Sequence, residues 1–90
     1  MKIEWSPEAS ADFSAIVAYI HEQNPAAASR VAHTLYDSVA SLAEFPNRGR
    51  LGRIDGTREL VLAPLPFIVI YRVRGSIEVA RVLHGSQRWP

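Results

Sequence analysis

Residues Thr57 to His84 read TRELVLAPLPFIVIYRVRGSIEVARVLH. Three short runs rich in Val, Ile, Leu and aromatic residues are separated by Ala-Pro-Leu-Pro and by Arg-Gly-Ser. Branched and aromatic side chains suit a pleated surface, and Pro and Gly punctuate it. The pattern predicts three consecutive strands at Thr57–Ala63, Phe67–Val73 and Ile77–Leu83. Parallel crossovers need about a dozen residues or more, so these short links imply antiparallel pairing. Arginines recur along the strands at Arg58, Arg72, Arg74 and Arg81.

Working back from that sheet, Lys2-Ile3-Glu4-Trp5 alternates polar and apolar and reads as a fourth strand. Ser6-Pro7-Glu8 then opens a helix: Ser is a favoured cap, Pro suits the first helical position, and Glu opposes the positive end of the helix dipole. Ala9, Phe13, Ile16, Val17 and Ile20 form one apolar stripe at helical period. Asn24 precedes Pro25 and is pushed out of the helical region, so it breaks one helix and caps the next. Ala28, Val31, Leu35, Val39 and Leu42 form the second stripe, and the short link predicts an antiparallel helical hairpin. Phe45-Pro46-Asn47 is expected to end it. Arg48 to Gly56 holds three arginines and three glycines and reads as an exposed basic loop; it lacks the Gly-Lys-Ser/Thr of a P-loop.

Helices run together and strands run together, which predicts an α+β fold in the order strand, helix, helix, strand, strand, strand. A chain of 90 residues suits one domain spanning 1–90. With 48% hydrophobic and 21% charged residues, and no run long enough to span a bilayer, a cytoplasmic globular protein is expected. The absence of cysteine excludes disulfides and thiolate metal sites. Neither a metal nor a cofactor is expected.

The net charge of +1 hides an asymmetry. Residues 1–47 hold two basic and six acidic residues, a net of −4, whereas residues 48–90 hold eight and three, a net of +5. Nine of the ten basic residues are Arg, the side chain suited to bidentate contacts with phosphate or carboxylate. A basic half predicts an anionic partner, either nucleic acid or an acidic protein segment.

If Gly75-Ser76 is a two-residue turn, Arg74 lies opposite Ile77, Arg72 opposite Val79, Ile70 opposite Arg81 and Ile68 opposite Leu83. These residues would share one face. Phe67, Val69, Tyr71, Val73, Ala80 and Val82 would form the other, more apolar face under the helices. Arg72, Arg74 and Arg81 would then line the uncovered face.

The chain resembles the RelE/ParE superfamily of toxins from type II toxin–antitoxin systems. The resemblance spans nearly its whole length. It rests on Trp5-Ser6-Pro7-Glu8-Ala9, Tyr19-Ile20, Phe45-Pro46, Gly49-Arg50 and Gly56-Thr57-Arg58-Glu59-Leu60. It continues through Pro66-Phe67-Ile68-Val69-Ile70-Tyr71-Arg72-Val73 and Arg81-Val82-Leu83-His84-Gly85. It implies a helical hairpin against an antiparallel sheet of three or four strands. It also implies a cognate antitoxin that wraps the toxin with an acidic amphipathic segment and carries the pair to operator DNA.

Two mechanisms occur in such toxins. RelE-like members cleave mRNA on the ribosome without a metal, and ParE-like members poison DNA gyrase. The expectation is a growth-arresting, RelE-like ribosome-dependent nuclease; the alternative is a ParE-like non-enzymatic gyrase inhibitor. In the nuclease, Arg58, Arg72 and Arg81 would hold the scissile phosphate and His84 would donate a proton. Arg48, Arg50, Arg53, Arg74 and Arg88 would bind RNA or a protein partner. Ile68 stands where RelE-like nucleases commonly carry an Arg, and Glu59 and Val61 lie near the places of two lysines. Tyr71 is expected in the core, Trp5 and Trp89 as packing residues, and His21 and His33 on the surface.

Overall fold

The computed structural model describes residues 1–89 and contains two helices on one face of a five-stranded sheet. The elements in chain order are β1 (Ile3–Trp5), α1 (Pro7–Gln23), α2 (Pro25–Ala40), β2 (Arg50–Leu51), β3 (Arg58–Val61), β4 (Phe67–Val73) and β5 (Ile77–His84). The strands lie in the order β1-β5-β4-β3-β2. All pairs are antiparallel except β1 with β5, which is parallel.

The helix ends follow the expected chemistry. Ser6 Oγ accepts from Ala9 N at 2.9 Å, with Pro7 next and Glu8 in the first turn. Asn24 is extended, donates its N–H to Ile20 O, and accepts from Ala27 N at 3.1 Å to cap α2. α2 stops earlier than Phe45-Pro46-Asn47, tightening into a 3-10 turn over Ser41–Ala43. Such a turn satisfies carbonyls that a helix end otherwise leaves open.

The stripes meet the sheet as the pattern requires. Ala9, Leu35, Val39 and Leu42 pack with Leu60, Val69, Tyr71, Ile77, Val79 and Val82 in the core. Trp5 stands edge-on to Phe13, 5.7 Å between centroids, and joins β1 to α1.

Three details differ from the pattern-based expectation. First, the basic loop contains the edge strand β2, a two-residue pairing too short to register as alternation. Second, β3 is shorter than Thr57–Ala63. Thr57 closes a turn through Oγ1 and N to Ile54 O, and the chain turns away after Val61. Third, the link between β4 and β5 has three residues, because Val73 pairs with Ile77.

That third difference moves side chains between faces. A bulge opposite Ile70/Tyr71 leaves Ala80 unpaired and restores the expected register beyond it, with Ile70 opposite Arg81 and Ile68 opposite Leu83. Ile77 and Val79 therefore face the helices, each at most 1% exposed, rather than lining the free face. Arg72 keeps its place on the free face but lies opposite Glu78 rather than Val79.

Candidate functional site

The face of the sheet away from the helices is built of cross-strand rows. Arg50, Glu59, Ile70 and Arg81 lie side by side across β2, β3, β4 and β5. Val61, Ile68 and Leu83 form the next row. Near the other end, Glu4, Glu78 and Arg72 line up across β1, β5 and β4. No helix covers this side, yet Ile70 is 2% exposed and Leu83 4% exposed. The C-terminal residues and the basic loop supply the cover. Gln87 and Trp89 line a cavity of about 140 Å³ with Ile68, Ile70, Leu83 and Arg53. Gln87 is fixed there by mutual bonds with His84: Gln87 N donates to His84 O, and His84 N donates to Gln87 Oε1.

Most of the arginines on this face are already engaged. Arg50 donates twice to Glu59 Oε1, at 2.9 and 3.2 Å, while Arg53 N donates to Glu59 Oε2 at 3.2 Å. Arg74 reaches Glu78 at 3.3 Å. Arg81 lies in the open-face row, but its guanidinium reaches round the sheet edge to Asp12 on α1, at 2.7 and 3.0 Å. β1 ends opposite Val79, so the next stretch of β5 has an unpaired edge. Asp12 fills it by accepting from Val82 N at 2.9 Å. The Asp12 hydrogen bonds hold the Arg81 pKa above its usual value; burial opposes this, and the charges of Asp12 and Glu8 add to it.

The four residues expected to act on a phosphate are not gathered together. Arg58 pairs with Tyr71 and so lies on the helix side of the sheet, where Nη1 donates to Gly49 O at 2.8 Å. Arg72 lies on the opposite face and lines a shallow pocket with Glu4 and Glu78. His84 pairs with Phe67, roughly 13 Å along β4 from the Arg58 position at about 3.3 Å per residue. Its ring stands edge-on to Phe67 with centroids 6.0 Å apart, at the rim of the helix-covered side. Ser86 N donates to His84 Nδ1 at 3.1 Å, so the neutral ring carries its proton on Nε2. Of the binding candidates, Arg48 donates to Ser41 Oγ at 2.7 Å, and Arg88 is exposed in the C-terminal segment.

Tyr71 is core, as expected, with an added task. Its hydroxyl donates to Pro46 O and accepts from Gly49 N, both at 2.8 Å, tying the basic loop to the sheet. A Cβ at Gly49 would lie 2.8 Å from that hydroxyl, so the close approach demands glycine there. Sequence reasoning missed Asp12 and Glu59 as the partners of the arginines. Their only signal is opposite charge, which becomes specific once register places them.

On the helix side, α1, α2 and the β3–β4 connection frame an apolar groove of about 460 Å³. Ile16, Tyr19, Ile20, Val31, Leu65 and Phe67 line it. Tyr19 is 65% exposed beside it. No helix among the described residues is long and apolar enough to cross a membrane. Among the described residues no three His, Asp or Glu side chains gather as a metal site would require.

A helical hairpin packed against one face of an antiparallel meander is the arrangement that the resemblance to RelE/ParE toxins implies. Comparison with known proteins gives the same answer. The family model for the ParE toxin of the type II toxin-antitoxin system parDE matches residues 3–89. The chain is 44% identical over 89 residues to "Putative toxin Y4kP" of Sinorhizobium fredii, covering 99% of this chain and 93% of that protein. It is 39% identical over 87 residues to Toxin RelE2 of Caulobacter vibrioides, covering 96% of this chain and 97% of the relative. The solved structure described as the chromosomal ParDE TA system from P. aeruginosa superposes with a TM-score of 0.85 at 28% identity, covering 93% of this chain and 95% of that one. The chain belongs to the ParE toxin family of type II toxin–antitoxin systems. It is the toxin component, and its partner is an antitoxin.

Proposed function

We propose that this toxin arrests growth by binding and poisoning DNA gyrase, without cutting a substrate. One observation carries this reading: the arginines available for phosphate chemistry are dispersed or neutralised. Arg81 is held by Asp12, Arg50 by Glu59 and Arg74 by Glu78, and Arg58 and Arg72 lie on opposite faces. A phosphoryl transition state needs preorganised donors converging on one point. A protein surface needs only a fixed pattern of charge and apolar area. Arg53 and Arg88 then belong to the target-binding face, in a cytoplasmic setting.

In the same reading, the acidic amphipathic segment of the antitoxin lays its apolar side into the groove at Ile16, Ile20 and Phe67. The antitoxin alone carries the pair to operator DNA. The test is supercoiling of relaxed plasmid by purified gyrase with the full-length toxin. The expected result is loss of supercoiling and its recovery on adding antitoxin. Unimpaired supercoiling at excess toxin refutes the proposal.

Two observations favour ribosome-dependent mRNA cleavage as a second reading. His84 and Arg53 line one cavity, and the Caulobacter relative bears the name RelE2. In that reading His84 is the proton donor, and Arg58, Arg72 and Arg81 must move to meet the phosphate. New ribosome-dependent mRNA ends in a translation extract, mapped by primer extension, would establish it. Intact mRNA rejects it.

A further inference from the structure

The far half of β5 has no strand beside it on the β1 side among the described residues. β1 stops opposite Val79, whereas β5 runs on to His84. Gly85 N donates to Pro66 O on the β4 side. The alternation of an antiparallel ladder therefore turns the main-chain groups of Val82 and His84 away from β4. A row of outward N–H and C=O groups is a template for pairing with another chain.

Side chains occupy that row instead. Ser6 Oγ donates to Ala80 O at 2.8 Å, Asp12 Oδ2 accepts from Val82 N at 2.9 Å, and Gln87 Oε1 accepts from His84 N at 2.8 Å. They come from three separate places: the end of β1, the second turn of α1 and the C-terminal segment. Ser6 serves twice, since the same hydroxyl accepts from Ala9 N to cap α1. Asp12 serves twice as well, since it also holds the Arg81 guanidinium through both carboxylate oxygens. Charge placed on a strand edge discourages pairing in its own right.

The residues under these caps suit a second copy of themselves. Two β5 edges related by a two-fold axis through Val82 set Val82 opposite its own counterpart, Arg81 opposite Leu83, and Ala80 opposite His84. No like charges fall directly opposite, and the two Arg81 side chains meet only along the diagonal. An isologous contact of this kind closes on itself. We infer that the β5 edge is a latent strand-pairing surface for a second copy of this chain, held shut by Ser6, Asp12 and Gln87 so that the toxin stays monomeric. Asp12 is the central closure, because it meets both the Val82 N–H and the Arg81 charge.

The test is sedimentation velocity of the full-length toxin from micromolar to millimolar concentration, with circular dichroism to report the fold. The unsubstituted chain should sediment as a monomer throughout. Asp12→Ala/Arg81→Ala removes the central cap and the diagonal charges together, and should move to the mass of a dimer as concentration rises. Asp12→Asn keeps an oxygen for Val82 N and should stay monomeric. Gln87→Ala is the second opening variant. Gln87 is exposed and outside the helical layer, so its loss leaves the core in place, and it should dimerise more weakly. Amide exchange locates the contact: Val82 N–H should exchange quickly in the dilute double variant and slowly in the concentrated one. Opening variants that keep their fold and remain monomeric at millimolar concentration overturn the inference. So does a dimer of the unsubstituted chain, or a variant dimer in which Val82 N–H gains no protection. Supercoiling by gyrase is a separate readout, so this proposal and the functional one fail independently.

Discussion

The two faces of the sheet are made by different means. The helix side is a packed layer in which Leu35, Leu42, Val69, Tyr71 and Ile77 are almost fully buried. The open side is a set of cross-strand rows in which charge answers charge, Arg50 with Glu59, while Arg74 in the turn reaches Glu78. Apolar burial is non-directional and scales with area, so the first face tolerates no lost volume. Partly exposed ion pairs contribute little each, so the second face can be altered without unfolding the protein. The contrast separates the part that holds the fold from the part that can be spent on a partner.

If the contrast is right, the largest losses lie on the helix side. Leu35→Ala should cost about 3 kcal/mol, as removal of a fully buried leucine commonly does; urea unfolding measures it. A loss under about 1 kcal/mol would mean the helical layer collapses readily and the two faces are less distinct. Tyr71→Phe should cost about 2 kcal/mol, because it strands Gly49 N and Pro46 O rather than emptying space. It should also loosen the loop from Arg48 to Arg53, which amide hydrogen exchange reads directly.

Asp12 lies between these two classes, since it ties a helix to a strand edge through charge. Asp12→Ala strands Val82 N and the Arg81 guanidinium together, and the expected loss is about 2 kcal/mol. Arg81→Ala should cost less, because Asp12 keeps its bond to Val82 N. A double-mutant cycle gives the coupling between them, expected at about 1 kcal/mol. The pH dependence has a definite sign. The Arg81 pKa is raised in the folded state, so its contribution is complete below the ordinary arginine value and is lost only at strongly alkaline pH. Growth arrest by Arg81→Ala at wild-type strength would place Arg81 in the framework; loss of arrest with stability kept would return it to the functional surface.

How much of this was legible in the sequence follows the same division. Helix ends were readable because Ser6-Pro7-Glu8 and Asn24-Pro25 act locally, through bonds that span three or four residues. The buried stripes were readable because periodicity survives in one dimension. The face of Ile77 and Val79 was not, because one extra residue in the turn after Val73 shifts every side chain up to the bulge at Ala80. Nor was the fate of Arg81: its partner Asp12 lies 69 positions away, and only the missing length of β1 lets the two meet. The arginines were visible as a class, and their neutralisation was a tertiary fact. Family membership was legible because it needs only the ordered set of short motifs, whereas mechanism depends on where individual charges end up.

The smallest effect tests the open face at its weakest pair. Arg74, the first residue of the three-residue turn, meets Glu78 at 3.3 Å, with the Arg74 side chain 69% exposed. Exposed pairs of this kind contribute about 0–1 kcal/mol and are screened by salt. Arg74→Ala should therefore change stability by less than about 0.5 kcal/mol in urea, and the difference should vanish in high salt. Gyrase inhibition is the sharper readout. If Arg74 serves the target, its removal weakens inhibition while the unfolding curve stays in place. If inhibition is unchanged, Arg74 and Glu78 serve only each other, and the target-binding face contracts to the end of the sheet held by Arg53 and the C-terminal segment.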